Sequence, residues 1–306
     1  MMRFGMDYGG TNLKAGVFDE NGETLVFRQR PLKEFTNSPT FLRDMIAFAM
    51  EVIGNRPVDG GGLAIKGMVD VAKGSVCDDI GAGSLLAGVP LRQEFSSQLG
   101  IPFSVDNDAR AYAWGEWLFG SGRGARTMVC MTFGTGLGCA VVSHGVPYGG
   151  ADQLGGLLGG HISIDRNGPQ CPCGHRGCLE LYCSATALHK RILAAHPECG
   201  NASSDSLASF FRGVRAKQQH YSPTFDAIVD DFATGIVNAI HAYSPDVIVL
   251  GGGVMKSADV LLPAVNALVQ KRAWTYPRGI VKVSAAGLGD AAAALGVAFH
   301  QQQNRS

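Results

Sequence analysis

Short apolar runs of strand character open the chain. Residues 3–9 (RFGMDYG), 13–19 (LKAGVFD) and 24–30 (TLVFRQR) are rich in β-branched and aromatic side chains, with turn pairs at Gly9-Gly10 and Asn21-Gly22. That combination predicts three strands joined by tight turns. The pattern returns near residue 127 as TMVCMTFG, a glycine turn GTGLG, CAVVSHG and then VPYGG. A strand, a glycine turn, a second strand and a further turn thus occur twice, about 125 residues apart, which points to two copies of one fold. Apolar residues at helical spacing predict helices over 40–53, 108–119, 224–243 and 258–272. The third ends at Ser244-Pro245, and the fourth comes after DVIVLGGG, a buried-strand pattern opening into glycines. Strands alternating with helices imply an α/β architecture.

Composition narrows the function classes. The 306 residues are 46% hydrophobic and 17% charged, enough for one large domain or two ordinary ones. Lys+Arg and Asp+Glu both count 26, so no charge excess favours nucleic acid or an anionic membrane. There is no basic-then-apolar N-terminal signal, and no apolar run approaches the roughly 18–20 residues of a membrane span. The expectation is a soluble, cytoplasmic protein without nucleic-acid or membrane partners. Glycine, at 42 residues, is about twice its usual share of roughly 7%, and it lies within apolar runs. Tight turns and close approach to a ligand account for that better than disorder does. Of eight cysteines, Cys130 and Cys139 sit in strand-like runs and read as core, while Cys77, Cys183 and Cys199 carry no spacing signal. Only Cys171, Cys173 and Cys178 form a pattern, within HISIDRNGPQCPCGHRGCLE at 161–180. In a cytosolic chain such a pattern reads as metal binding. The segment could serve chemistry, nucleic-acid binding or local scaffolding.

Three glycine-rich turns come directly after strands. Asp7-Tyr8-Gly9-Gly10-Thr11-Asn12 offers backbone N–H groups and polar donors to an anion, with Lys14 within reach and Asp7 suited to hydrated Mg²⁺. An ordinary hairpin is the plain alternative. Thr132-Phe133-Gly134-Thr135-Gly136-Leu137-Gly138 occupies the equivalent place in the second copy, and two such loops can hold a polyphosphate. Neither fits the G-x-x-x-x-G-K-[ST] loop. Gly251-Gly252-Gly253 could admit a flat base against backbone, or be a plain strand-to-helix turn. Val105-Asp106-Asn107-Asp108-Ala109 lies where a strand meets a helix, so its polar side chains either cap the helix or supply a carboxylate base.

Together, DYGGTNLK, VDNDARAYAWGEWLFG, TFGTGLG, CPCGHRGCLE, VIVLGGG and LGDAAAALGVA resemble the ROK family of sugar kinases and related repressors, within the actin/hexokinase-like ATPase superfamily. The resemblance implies two ribonuclease-H-like (actin-like ATPase) domains with a cleft between them. One would span 1–117, with a C-terminal helix at 290–303 packing back on it. The other would span 118–289 and carry the zinc-binding loop. It implies that Asp108 is the base that deprotonates a sugar hydroxyl attacking ATP, and that Asn107, His161 and Glu180 contact the sugar. It further implies that Asp7 with Mg²⁺, Gly9, Gly10, Thr11, Asn12, Lys14, Thr132, Gly134, Thr135 and Gly136 bind the phosphates, and that Gly252 and Gly253 meet the adenosine. His161, Cys171, Cys173 and Cys178 make a Cys₃His set, which suits a closed tetrahedral structural zinc without an open catalytic position. His175 is a rival ligand, disfavoured by its place between Cys173 and Cys178. The resemblance also implies a homodimer. Family repressors carry an extra N-terminal winged helix-turn-helix; here the phosphate strand begins at residue 3, which argues for the kinase branch.

Three positions depart from the family pattern, all on the expected sugar side. The usual G-E-x-G-H reads GGLLGGH, with Leu158 where the acid stands. A carboxylate offers two acceptors to neighbouring hydroxyls and leucine offers none. The usual I-P-G-x-V-D reads Ile65-Lys66-Gly67-Met68-Val69-Asp70, and IGAGSLLAG lacks the expected Asn. The expectation is an ATP- and Mg²⁺-dependent sugar kinase with an atypical sugar pocket, in which Lys66 either meets an altered substrate or is simply solvated. A catalytically weakened sugar- or ATP-binding regulator is the alternative. A zinc-ribbon nucleic-acid binder is disfavoured by the zero net charge and the single cysteine cluster.

Overall fold

A computed structural model of the chain describes residues 1–36, 40–78, 86–149, 159–200 and 205–300. It opens with β1 (Met2–Tyr8), β2 (Asn12–Asp19), β3 (Thr24–Pro31), α1 (Lys33–Thr36), α2 (Phe41–Ile53) and β4 (Val58–Ile65). Next come β5 (Met68–Asp70), β6 (Ser75–Asp78), α3 (Leu91–Leu99), β7 (Phe103–Asn107) and α4 (Asp108–Phe119). The second repeat contains β8 (Thr127–Phe133), β9 (Leu137–Ser143), β10 (Val146–Pro147), α5 (Glu180–Cys183), α6 (Ala185–Ala195) and α7 (Ser206–Arg215). It continues through α8 (Ser222–Tyr243), β11 (Val247–Gly251), α9 (Ala258–Arg272) and β12 (Lys282–Ala285), and the described chain closes after α10 (Ala292–Ala298).

The repeat read from the sequence is a repeat of sheet order. One sheet runs β3-β2-β1-β4-β7 and the other β10-β9-β8-β11-β12, so the strand that comes first in the chain is central in each. In the first, β2 lies antiparallel to β1 and β3, whereas β4 and β7 continue it in parallel. In the second, β11 is parallel to both β8 and β12, and β10 is antiparallel to β9. Hairpins make the antiparallel edges, and the parallel strands are joined through intervening helices.

Residues 1–124, with the chain from Ala140 and the C-terminal chain from Gly287, form one compact unit; Ala125–Cys139 and the chain from there to Ala286, apart from that inserted stretch, form the other. The units divide after Gly124, and the C-terminal return to the first begins at Gly287.

In the first unit all of β1 but its first residue is buried, as a strand covered on both faces requires. One face meets α2, whose Phe41, Met45, Phe48, Ala49 and Val52 recur at helical spacing and share a core with Phe4, Met6, Leu63 and Val105. The other face meets α10, where every residue is buried and small or aliphatic. A Cβ on Gly5 would lie 1.8 Å from the Ala294 carbonyl oxygen, and one on Gly296 would lie 1.8 Å from that of Ala111. Helix α10 is therefore packed backbone to backbone, against β1 on one side and α4 on the other. In the second unit, Ile228, Phe232, Ile236 and Ile240 of α8 are buried, and the Phe133 and Phe232 rings lie 4.5 Å apart. Among the described residues no helix is long and apolar enough to cross a membrane.

Candidate active site

In the first unit, β1, β4 and β7 are neighbouring parallel strands. Tyr8 pairs with Ile65, and Ile65 with Asn107. Their carboxyl ends therefore present Asp7-Tyr8, Ile65-Lys66 and Asn107-Asp108 side by side, the place where open parallel sheets bind ligands.

Asp7 is only 8% exposed. Burial, joined by the charges of Asp108 and Asp290, pushes its carboxyl up to about 7, while Lys14 pulls it back. Lys14 sits directly across the ladder from Asp7, and its Nζ is 2.7 Å from Asp290 Oδ1. The cation expected to serve the glycine turn thus bridges toward a third carboxylate. Burial also raises Asp108, against the Ala109 backbone N–H that donates to it at 2.9 Å and the charge of Lys66. Lys66 is half-buried, with Nζ 5.6 Å from the centre of the Tyr8 ring.

The two readings of 105–109 both apply, to different residues. Asn107 is the N-cap of α4: its Oδ1 accepts from Ala109 N–H at 3.0 Å and Arg110 N–H at 3.2 Å, and its Nδ2 donates to Gly67 O at 3.1 Å. Asp106 is buried between Arg110 and His300, whose Nε and Nε2 lie at 2.7 and 2.9 Å. Burial works to raise Asp106, but His300 and Arg110 hold it below the usual carboxylate range. Of the three polar side chains, Asp108 is the one whose charge acts on Asp7.

Sequence reasoning missed two acids here. Asp290 begins inside LGDAAAALGVA, where its only signal is a charge ahead of a small-residue helix. Glu116 is fully buried; its Oε2 accepts from Ser121 N–H (2.8 Å) and Gly287 N–H (3.0 Å), and its Oε1 from Leu288 N–H (2.8 Å). It fixes the turn that delivers Asp290, and in the sequence it is an unremarkable helical glutamate.

The glycine turns use some of the donors assigned to phosphate. Gly9 N–H closes its own turn on Asn12 O (3.3 Å), and Gly134 N–H closes the second on Gly136 O (3.0 Å). The exposed tips are Gly10-Thr11 in the first unit and Thr135-Gly136 in the second. Thr132 lies within β8, half-buried. Behind the second loop, Glu180 Oε2 accepts Leu137 N–H at 2.8 Å and lies 2.7 Å from where a Gly136 Cβ would stand. Glu180 is thus anchored to this loop at the start of α5. Gly252, at φ +87°, rests on Phe133, whose backbone a Cβ would meet at 2.5 Å, and Gly253 is exposed beside it.

The 161–180 segment is held by two single bridges, Ser163 with Cys178 and Gln170 with Arg176. His161, Cys171, Cys173 and Cys178 converge with their donor atoms within 4.8 Å of one another. Cys171 Sγ is 3.5 Å from His161 Nδ1, and Cys173 Sγ is 3.6 Å from Cys178 Sγ. Metal bonds of about 2.0–2.3 Å at tetrahedral angles give edges of about 3.4–3.8 Å, so the set fits zinc. Burial and the neighbouring cysteines push the Cys178 thiol up to about 12, so a cation is what would hold it as thiolate. His175 turns its Nδ1 to Arg176 instead, outside the set. Leu158 and residues 79–85, which include most of IGAGSLLAG, lie outside the described residues.

Residues 3–304 match the model of the ROK family. The glucokinase of Thermotoga maritima is 29% identical over 303 residues, covering 96% of this chain and 95% of that one. The xylose repressor of Bacillus subtilis is 25% identical over 302 residues, covering 96% of this chain and 75% of its own. The crystal structure of a ROK family glucokinase from Streptomyces griseus, in complex with glucose and AMPPNP, matches with a TM-score of 0.84 at 26% identity, covering 99% of this chain and all of that one. The fold is accordingly that of these kinases, two actin-like ATPase domains built on mixed sheets.

Proposed function

Because the chain belongs to the ROK family, we propose that it transfers the terminal phosphoryl group of ATP to a sugar hydroxyl, with Asp108 as general base. The observation that carries this reading is the buried Asp7, which lies with Asp108 at the carboxyl ends of the parallel strands and also feels the charge of Asp290 from the turn before α10. Two further carboxylates acting on a buried one favour a bound cation, and Asp7 is the one to hold Mg²⁺. When bound, Mg²⁺ supplies positive charge to the phosphates in the transition state.

The chain's own groups account for the remaining tasks. Asp108 takes the proton of the attacking hydroxyl on its carboxylate and later returns it to water, while the ester bond forms and the donor's terminal phosphoanhydride bond breaks. Burial leaves this carboxylate more basic than an ordinary aspartate, which suits the role. Gly10, Thr11 and Asn12, and Thr132, Thr135 and Gly136, offer donors to the phosphates. Lys14, paired with Asp290 and facing Asp7, offsets part of the negative charge there, and Gly252 and Gly253 leave backbone open to the adenosine. Gly9 and Gly134 close the two turns rather than donate. On the sugar side, Asn107 keeps a second amide hydrogen, Glu180 keeps Oε1, and His161 keeps Nε2 when Nδ1 binds zinc. His161, Cys171, Cys173 and Cys178 would hold a structural zinc, which would fix His161 and Glu180 at the two ends of one segment.

Lys66 distinguishes the sugar side. Its half-buried cation beside Asp108 supports an acceptor that carries an anionic or otherwise altered group. Coupled-assay turnover of ATP across neutral hexoses, N-acetylhexosamines, polyols and acidic sugars tests both statements. Turnover is expected with at least one sugar, and preference for an acidic one supports the Lys66 reading. Strong ordinary glucokinase activity removes the altered-substrate reading, and ATP consumption with none favours the regulatory role of the repressor relatives.

A further inference from the structure

A second cluster of metal-ligand type lies in the second unit, apart from the cysteine segment. His196 caps the carboxyl end of α6, Glu198 stands on the adjoining 3-10 turn Pro197–Gly200, and His220 sits on the turn Gln219–Tyr221 that leads into α8. One donor atom from each comes within 4.8 Å of the other two. We propose that His196, Glu198 and His220 bind a borderline divalent transition-metal ion, Zn²⁺ or a close relative, independently of the Cys₃His cluster.

The distances argue for coordination over hydrogen bonding. His196 Nδ1 is 3.5 Å and His220 Nε2 is 3.6 Å from the same oxygen, Glu198 Oε1. A charge-assisted N–H···O bond closes to about 2.7–2.9 Å, and these contacts do not. Ligand atoms bound at about 2.0–2.2 Å around a tetrahedral ion stand about 3.4 Å apart, which these do. Two imidazoles with one carboxylate select zinc, cobalt or nickel over magnesium or calcium, which prefer oxygen.

The surroundings have the form of a prepared site. The His196 side chain is 8% exposed, and its other nitrogen, Nε2, is 2.8 Å from Thr224 Oγ1, the outer contact that orients metal-binding histidines. Its ring is further fixed against Tyr221 and Phe210, with centroids at 4.7 and 5.6 Å. Tyr221 Oη faces Cys199 Sγ at 3.6 Å. The Glu198 and His220 side chains are 52% and 56% exposed, which gives an ion entry and leaves room for water as a further ligand. A bound ion would tie the end of α6 to the start of α8.

The test is metal counting on the full chain. After dialysis against Zn²⁺ and removal of free ion, inductively coupled plasma mass spectrometry should find two zinc ions per wild-type chain and one in His220→Ala. Glu198→Gln, which keeps the side chain's shape, should bind the second ion at least tenfold more weakly by calorimetry. Cobalt separates the two sites, because only the cysteine cluster gives thiolate-to-metal charge-transfer absorption; the second equivalent should bind without increasing it. One ion in wild type that His220→Ala removes would uphold this site and sink the cysteine cluster. A count unchanged by His220→Ala, or unweakened binding in Glu198→Gln, overturns the proposal.

Discussion

At the scale of single residues, two aspartates side by side have opposite uses for the same burial. As the proposed base, Asp108 would have to be charged when the hydroxyl attacks, and burial makes it a stronger base at some loss of ionised fraction. Asp108→Asn removes the proton acceptor and leaves the fold's contacts nearly unchanged, since Asn107 caps α4. Turnover with the best sugar should fall about 10²–10⁴-fold, the usual contribution of general-base catalysis, with nucleotide binding retained. Steady-state kinetics and nucleotide titration check this, and near-wild-type turnover would strip Asp108 of the role. Asp7 gives a pH signature. Its carboxyl, ordinarily at 3.8, is pushed up to about 7, so the folded chain holds a proton that the unfolded chain has released. The stability this group contributes is complete below about pH 4 and is lost as pH rises through 7. In Mg²⁺-free buffer, Asp7→Asn should raise Tm relative to wild type more at pH 8 than at pH 5, and added Mg²⁺ should narrow the gap. A Tm difference that ignores pH would show that Asp7 is not destabilised by its neighbours. The sequence marks both acids by their place where strands end, Asp7 one residue before the end of β1 and Asp108 directly after β7. It could not show that Lys14 turns to Asp290, because that pair joins residues 276 positions apart.

At the scale of elements, local pattern proved a good guide where one face of an element is apolar. The helices expected over 108–119 and 258–272 have those bounds, and the expected strands lie within a residue or two of the observed ones. Where burial surrounds an element the pattern fails. α10 is buried on every side, so AAALGVA has no periodicity to read, and its fit depends on missing side chains at Gly5 and Gly296. Nor does spacing reveal which amide of a glycine turn is used within the turn, since Gly9 and Gly134 differ from their neighbours only in hydrogen bonding. Glu116 is the clearest case of a long-range role hidden in an ordinary helix position. It ties α4 to the turn ahead of α10 through Gly287 and Leu288. Glu116→Gln replaces one acceptor by an amide donor facing a backbone N–H, at a fully buried site. A hydrogen bond to a charged group contributes about 1.5–3 kcal/mol, so urea denaturation should show a loss of that order. Because the turn carries Asp290, activity at temperatures where the variant is folded should fall as well. Full stability in Glu116→Gln would mean that the three backbone donors find other acceptors.

At the scale of the whole chain, one sheet order occurs twice, and the two copies have diverged in the segments that leave their strands. The first copy keeps its acids at the sheet's carboxyl end, Asp7 within β1 and Asp108 as the first residue of α4 directly after β7, where the ladders of β1, β4 and β7 fix their backbone. The second puts Glu180 and His161 at the ends of a segment whose strand pairing consists of two single bridges. The segment is otherwise held by backbone hydrogen bonds, and a metal bound at Cys171, Cys173, Cys178 and His161 would add a further constraint. Its loss should therefore be felt on the acceptor side rather than the donor side. Cys173 is the exposed member of the set, so Cys173→Ser disturbs little beyond coordination. In that variant hydrogen exchange should accelerate across 161–180, and the KM for sugar should rise severalfold or more while the KM for ATP changes little. Restoring zinc to chelated wild-type chain should reverse both effects, and failing to restore them in Cys173→Ser separates the cysteine cluster from any second metal site. If the segment stays protected and sugar KM stays unchanged after zinc is removed, then the hydrogen bonds around Cys171, Gly174 and Gly177 suffice, and the metal has no part in shaping the sugar side.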